Sequence, residues 1–425
     1  MEENKKLSTE SYKGVRDFYP KDMAVQKYIF QIMRETVESF GYVEYGASIL
    51  EPAELYRSKT SDEIVNEQTY TFTDRGDREV TLRPEMTPTV ARMVAQKRRE
   101  LGFPLRWYSI PNVFRYERPQ RGRLREHWQL NVDVFGMDSL DADIELLTIS
   151  HTLLKNFGLS QNDFEIRIND RAAFDTFLKS QGLTDEEVAK ARKLIDKKDK
   201  VENFDALMEA ELGKKINLEM PQSEAVATVI KELSDIGITN VVFTPTLVRG
   251  FTYYTGIVFE VFDTHPENNR SLFGGGRFDN LLSLFDNEQV PAVGFGMGDV
   301  TIRDALDARG ILQNTVTGGV ADVGILTLDD CSRSFVLSLA NELRAKNLSV
   351  ETDYTSRKIG DKIAKAEKRG TKTIICVGKT EEETNLFAYS FLSPSEGYVK
   401  STESMDRAML LESISKKVSD EENNV

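Results

Sequence analysis

The chain has 425 residues and a formal net charge of −14, with 40% hydrophobic and 29% charged residues, the balance of a soluble globular protein long enough for two or three domains. That acidity argues against indiscriminate nucleic-acid binding. Charges interrupt every apolar stretch before membrane-spanning length, and the opening MEENKKLSTE has no apolar core of a secretion signal. Cys331 and Cys376 are the only cysteines; they lack metal-ligand spacing and read as reduced thiols of a cytoplasmic protein.

Residues 22–40 (DMAVQKYIFQIMRETVESF) place apolar positions at helical spacing and stop at Gly41. A strand follows through Ile49 and Leu50 to Pro52. Residues 68–96 predict a hairpin turning at Arg75-Gly76-Asp77, then a helix from near Met86. RWYSIPNV (106–113) and LNVDVFG (130–136) predict strands on either side of a basic loop. Residues 160–240, with charge runs such as KARKLIDKKDKVE, predict a mostly helical insertion. Strands return at 241–263, 272–282 and 290–299, and 309–320 has the glycines of a linker. Beyond it, strand and helix alternate over about one hundred residues, the pattern of a small α/β domain. The acidic SDEENNV end predicts disorder.

The loop holds the chemistry. FRYERPQRGRLREHWQ, from Phe114 to Gln129, packs Arg115, Arg118, Arg121, Arg123, Arg125 and His127 into sixteen residues of an acidic chain. Like charges this close call for an anionic partner, and arginine favours planar contacts to phosphate or carboxylate. A solvated hairpin carries the same charge pattern. His127, His151 and His265 are not spaced as a metal-ligand set, and the chain has no Walker A loop.

A strand bearing Phe-Arg-x-Glu, a loop and a returning strand resembles motif 2 of class II aminoacyl-tRNA synthetases. The full FRYERPQRGRLREHWQ and the later LVRGFTYYTGIVFE (247–260) are similar to their counterparts in histidyl-tRNA synthetases. The resemblance covers roughly 10–310 and 320–395. It implies an α+β catalytic domain (1–320) built on an antiparallel sheet of six to seven strands. An insertion at about 160–240, an α/β anticodon-binding domain (321–412) and a disordered tail (413–425) complete the expected architecture. The helix and strand of 22–52 resemble motif 1, which implies a homodimer.

The resemblance also implies site residues. Arg115 and Arg249 would flank the α-phosphate of ATP, with Glu117 on the adenine side and Mg²⁺ on the phosphates. Glu85, in TLRPEMTP, would meet the α-ammonium of histidine, with Thr87 nearby. Gln129 would touch the substrate carboxylate, and Asp133 and Tyr254 would take the two imidazole nitrogens. Histidine tRNA would meet Gln120, Arg121, Arg123 and Arg125 in the loop. In the C-terminal domain it would meet Arg357, Lys358 and Lys362, from a stretch (355–379) with eight basic and two acidic residues. Lys358, Lys362, Lys365 and Arg369 are spaced for one helix face. Gly274, Gly275 and Gly276 would let the backbone approach a ligand.

Three positions depart from the family pattern. Thr301 stands where motif 3 carries an arginine, leaving Arg303 or a motif 2 arginine to compensate. Phe278 replaces a tyrosine, and Thr252 an acid. The implied activity is histidine–tRNA ligation. The alternative is a synthetase-like regulatory subunit of ATP phosphoribosyltransferase; the anticodon-like domain and the retained Arg115, Glu117, Arg249 and Tyr254 weigh against it, and Thr301 weighs for it.

Overall fold

The computed structural model describes residues 7–57, 68–118, 122–196, 198, 201–268, 270–285, 289–315, 321–328, 331–393, 397–401 and 403–422. The chain divides into two compact units, Met1–Phe18 with Gln26–Leu312, and Tyr19–Val25 with Gln313–Val425.

The first unit is organised by a sheet of nine strands among the described residues. Its centre is antiparallel, in the order Leu105–Ser109, Glu126–Phe135, Ala292–Gly298, Ser271–Arg277, Ile257–Asp263, Phe164–Asp170. Two short strands extend the edges in parallel, Val43–Glu44 beside Leu105–Ser109 and Val241–Phe243 beside Phe164–Asp170. The expected strand of 106–113 is broken before Pro111, which has no amide hydrogen to give to a ladder. Its second part, Asn112–Phe114, still pairs with Glu126–Trp128 of the same long strand.

Glycines shape one face of this sheet. A Cβ on Gly274 would overlap Arg249 and the Phe259 carbonyl, one on Gly294 would overlap Asp133, and one on Gly296 would lie 2.7 Å from Gln129 Nε2. The face is therefore bare of its own side chains where functional ones lie across it. The helix Pro20–Ser39 buries Ile29, Met33, Thr36 and Val37, the apolar stripe its spacing predicts. A small sheet of Leu50–Pro52, Glu79–Leu82 and Tyr70–Thr73 contains the expected hairpin. Asp74 Oδ1 accepts from the amides of Gly76 and Arg78 at its turn, and the helix Thr87–Lys97 follows.

The span expected to be a helical insertion contains a strand of the central sheet, Phe164–Asp170, whose alternating Phe164, Ile166 and Ile168 are buried. The helices begin after it: Arg171–Ser180, Asp185–Ile195, Phe204–Leu212 and Glu224–Asp235. Asp170, Thr184 and Ser223 cap three of them. Phe174, Leu178, Val188, Ala191 and Met208 give this region its own core.

The second unit carries a five-stranded sheet. Val350–Asp353, Val323–Thr327 and Thr373–Val377 are parallel, and Tyr389–Ser393 and Gly397–Lys400 complete it antiparallel. The helices Arg333–Arg344, Ile359–Arg369 and Arg407–Glu422 belong to the same unit. The last corrects an expectation, because 413–422 is helix rather than disordered tail. Leu410, Ile414 and Val418 recur every fourth residue and are buried, each contributing about 1.5–3 kcal/mol. The short helix Ile311–Thr315 lies in the expected linker. No helix among the described residues is long and apolar enough to cross a membrane.

Candidate active site

Two cavities of the first unit adjoin one another. The smaller, about 120 Å³, is lined by Glu85, Thr87, Arg115, Gln129, Arg249 and Tyr254, with Asn131, Tyr253, Phe278 and several glycines. The larger, about 720 Å³, includes Glu117, Arg123, His127, Asp196, Leu272 and Thr301. They share Arg115, Gln129, Phe251 and Gly296, so a ligand in one can reach a ligand in the other.

Strand register places the first set of side chains. Gln129, Asn131 and Asp133 alternate along one strand and so share a face, opposite Gly298, Gly296 and Gly294. Asp133 is 4% exposed. Its Oδ2 is buried without a hydrogen-bond partner, and burial pushes its carboxyl up to about 8. Asp133 is not among the residues that line either cavity. Tyr254 is buried, and burial raises its hydroxyl.

Glu85 precedes the helix Thr87–Lys97 and is 3% exposed, with its Oε2 accepting from the Tyr253 hydroxyl at 3.3 Å. Phe278, where the family has a tyrosine, packs edge-on against Tyr253 with ring centroids 5.9 Å apart.

The two expected phosphate arginines reach the same small cavity from different elements. Arg115 leaves the short Asn112–Phe114 strand, and its Nε donates to the Pro84 carbonyl at 2.9 Å. Arg249 holds φ at +54°, a left-handed conformation rare for a residue with a side chain. Its Nη1 lies 3.3 Å from the Phe259 carbonyl and 3.4 Å from Glu260 Oε1. Strain retained at a cavity wall is the signature of a functional constraint.

In the larger cavity Glu117 pairs with Arg123 at 3.5 Å. His127 is held neutral by burial and by Arg115 and Arg16, its pKa lowered to about 3. Thr301 Oγ1 donates to the Leu272 carbonyl at 2.7 Å. Arg303 does not line either cavity and pairs with Asp307 at 3.8 Å, so it does not occupy the place left by Thr301. Among the described residues no group of three or more His, Cys, Asp or Glu could hold a metal ion.

Other expected residues are placed differently. Gln120 and Arg121 lie outside the described residues. Arg125, expected to face RNA, is buried: it donates to the Glu117 carbonyl at 3.2 Å and the Tyr12 hydroxyl at 3.1 Å, and stacks on Tyr116 at 4.0 Å. Lys362 is also buried, 1% exposed, donating to the carbonyls of Thr327 at 2.6 Å and Asp353 at 3.3 Å. It lies with Ala366 on the inward face of its helix, so the expected basic face loses its centre. Arg357 and Lys358 are exposed.

Several contributors were not singled out from sequence. Arg83 ties strands together through Asn112 and the carbonyls of Ala47 and Ser48. Asp299 is fully buried and accepts from Arg16, Gln26 and the Trp128 amide. Tyr45 has a buried hydroxyl, pushed up by burial and by Asp133. The acid at Asp299 directly follows GFGMG, which was a signal available in the sequence; the others had none.

The antiparallel sheet, the arginine-bearing strand-loop-strand and the joined cavities define the catalytic unit of a class II aminoacyl-tRNA synthetase. The family model for histidyl-tRNA synthetase matches residues 14–215 and 202–300, and that for the anticodon binding domain matches 322–417. A histidine–tRNA ligase of Leptospira biflexa is 44% identical over 406 residues, covering 89% of this chain and 92% of the relative. One from Thermoplasma volcanium is 34% identical, covering 92% and 96%. The crystal structure of histidyl-tRNA synthetase from Nostoc sp. PCC 7120 shares the fold, with a TM-score of 0.79 at 23% identity over 97% of this chain and all of that one. The chain belongs to the histidyl-tRNA synthetase family.

Proposed function

We infer that this chain is a histidine–tRNA ligase that activates L-histidine with ATP and transfers it to the 3′ end of its tRNA. The observation that carries the residue-level reading is the junction of the two cavities at Arg115 and Gln129. An amino acid in the small cavity would present its carboxylate there, against the α-phosphorus of a nucleotide in the large one. Glu85 receives the α-ammonium, and Gln129 orients the carboxylate. Asp133 and Tyr254 together satisfy both imidazole nitrogens, whereas a proline or threonine side chain leaves Asp133 unpaired at a cost of about 1–3 kcal/mol.

A carboxylate oxygen of histidine attacks the α-phosphorus, the bond to the β-phosphate bridging oxygen breaks, and pyrophosphate leaves. Arg115 and Arg249 stabilise the charge that gathers on the α-phosphate. Mg²⁺ brought in with the nucleotide would supply charge neutralisation for the leaving group. The terminal ribose hydroxyl of the tRNA then attacks the carbonyl carbon, and AMP leaves. Arg123, Arg357 and Lys358 are the exposed cations available to the RNA backbone, with Gln120 and Arg121 as further loop contacts.

A cytoplasmic homodimer fits this reading. Val43, Ile49 and Leu50 are large apolar side chains exposed within the helix-and-strand region that resembles motif 1, and Phe72 is exposed on the small sheet that holds Leu50. The regulatory alternative finds less support, since the relatives matched over most of the chain are histidine–tRNA ligases and the anticodon binding domain is matched as well.

Histidine-dependent ATP–pyrophosphate exchange, with proline and threonine in parallel, tests the reading. Exchange with histidine alone is expected. Exchange with another amino acid would overturn the pocket assignment, and exchange with none from a folded protein would return the regulatory reading.

A further inference from the structure

Arg270 is not itself a lining residue of the larger cavity, but its guanidinium lies against Gly122, which is one. Arg270 immediately precedes the strand Ser271–Arg277. Its Nε donates to Asn268 Oδ1 at 2.9 Å, and its Nη2 meets Asp304 Oδ2 at 3.2 Å. Its Nη1 makes no hydrogen bond among the described residues and lies against Gly122. A Cβ on that glycine, whose φ is +79°, would overlap Nη1 and stand 3.8 Å from Thr301 Cγ2. Only a residue without a side chain admits the guanidinium there.

Thr301 and Asp304 are three residues apart on the helix Asp299–Ala308, hence on one face. Asp304 tethers the guanidinium, and the short Thr301, with its own hydroxyl spent on the Leu272 carbonyl, leaves room for it. Gly122, Leu272 and Thr301 all line the larger cavity.

Charge decides what this arrangement serves. Among the cavity's described lining residues the cations are Arg115 and Arg123. Arg115 stands at the junction with the small cavity, and Arg123 faces Glu117. Among the described lining residues, a triphosphate threaded from the junction toward Gly122 meets no further cation. Arginine's fork suits two phosphate oxygens at once.

We propose that Arg270 binds the β- and γ-phosphates of ATP at the Gly122–Thr301 end of the larger cavity, standing in for the cation that position 301 lacks. The proposal deepens the ligase reading and rests on it for the identity of the nucleotide.

The test is equilibrium titration of ATP and of AMP against the full chain, comparing wild type, Arg270→Gln, Arg270→Ala and the double variant Arg270→Ala with Thr301→Arg. Removing the cation is expected to weaken ATP by about 10- to 100-fold, the worth of one charge-assisted contact. AMP, which lacks those phosphates, is expected to bind as before, and the double variant to recover ATP affinity. A structural role would weaken both nucleotides alike, so equal losses for ATP and AMP overturn the proposal. So does unchanged ATP affinity, or a wild type that binds no ATP. Arg270→Gln is shorter and uncharged but keeps an amide donor near the place of Nε, which faces Asn268, and carries the comparison if the alanine variant does not fold. ATP binding needs no histidine. A wild type that binds ATP without histidine-dependent exchange therefore sinks the ligase reading and leaves the Arg270 comparison standing.

Discussion

Replacing Arg249 is expected to separate catalysis from folding, because this arginine sits in a strained backbone and its polar contacts to the Phe259 carbonyl and Glu260 are long. Its φ of +54° costs about 1–2 kcal/mol for a residue with a Cβ. Its polar contacts, 3.3 Å to the Phe259 carbonyl and 3.4 Å to Glu260, return about 1–2 kcal/mol together. Arg249→Gly removes both terms, so stability is expected to stay within about 1 kcal/mol of wild type, a shift in Tm of at most about 4 °C. Loss of a cation that acts most strongly in the transition state costs about 10²–10³ in kcat, or about 2.7–4 kcal/mol. The catalytic loss therefore exceeds the structural one. Single-turnover adenylate formation and a thermal melt on the same preparation give both numbers. A glycine variant with the wild-type rate refutes the role in charge stabilisation. One whose melting temperature falls in step with its rate refutes the separation, since the arginine would then be holding the fold.

Asp133 supplies a pH-dependent prediction. Its folded pKa of about 8 stands above the ordinary 3.8, so the folded state holds the proton more tightly, and the ligand-free protein loses stability as pH rises between those values. Asp133→Asn is expected to melt higher than wild type at pH 8 and with it near pH 4; an equal difference at both pH values would rule out ionisation as the cause. Lys362→Met is expected to destabilise the second unit by about 1–3 kcal/mol, since it strips a donor from buried carbonyls. By contrast, charge reversal at Arg357 and Lys358 should weaken tRNA binding without lowering the Tm. A Lys362 variant that melts as wild type and loses only tRNA affinity would reverse these assignments.

Much of the local structure was legible because it is decided by neighbours in sequence. The helical stripe before Gly41, the Asp74–Arg78 turn and the strands around the basic loop follow from spacing and turn chemistry. Proline 111 split a strand for a reason equally local. The acidic end of the helix ending at Glu422 masks the helical spacing of Leu410, Ile414 and Val418. The alternation of Phe164–Asp170 is visible in the sequence, but the charge-rich span around it hides the strand.

Motif resemblance in the sequence determined the family and nominated the side chains proposed for the chemistry: arginines for a phosphate, an acid and a hydroxyl for an imidazole. Only the tertiary structure decided where each one points. Helical spacing grouped Lys358, Lys362 and Arg369 on one face, but packing against Thr327 and Asp353 turned Lys362 inward. Arg125 belonged to a basic run, and two tyrosines drew it into the protein. Asp133 became a buried acid only when strand pairing set it against Gly294 and away from water. Arg270 met Gly122 across a gap of well over one hundred residues, and that proximity exists only because a strand, a loop and a helix close on the same cavity.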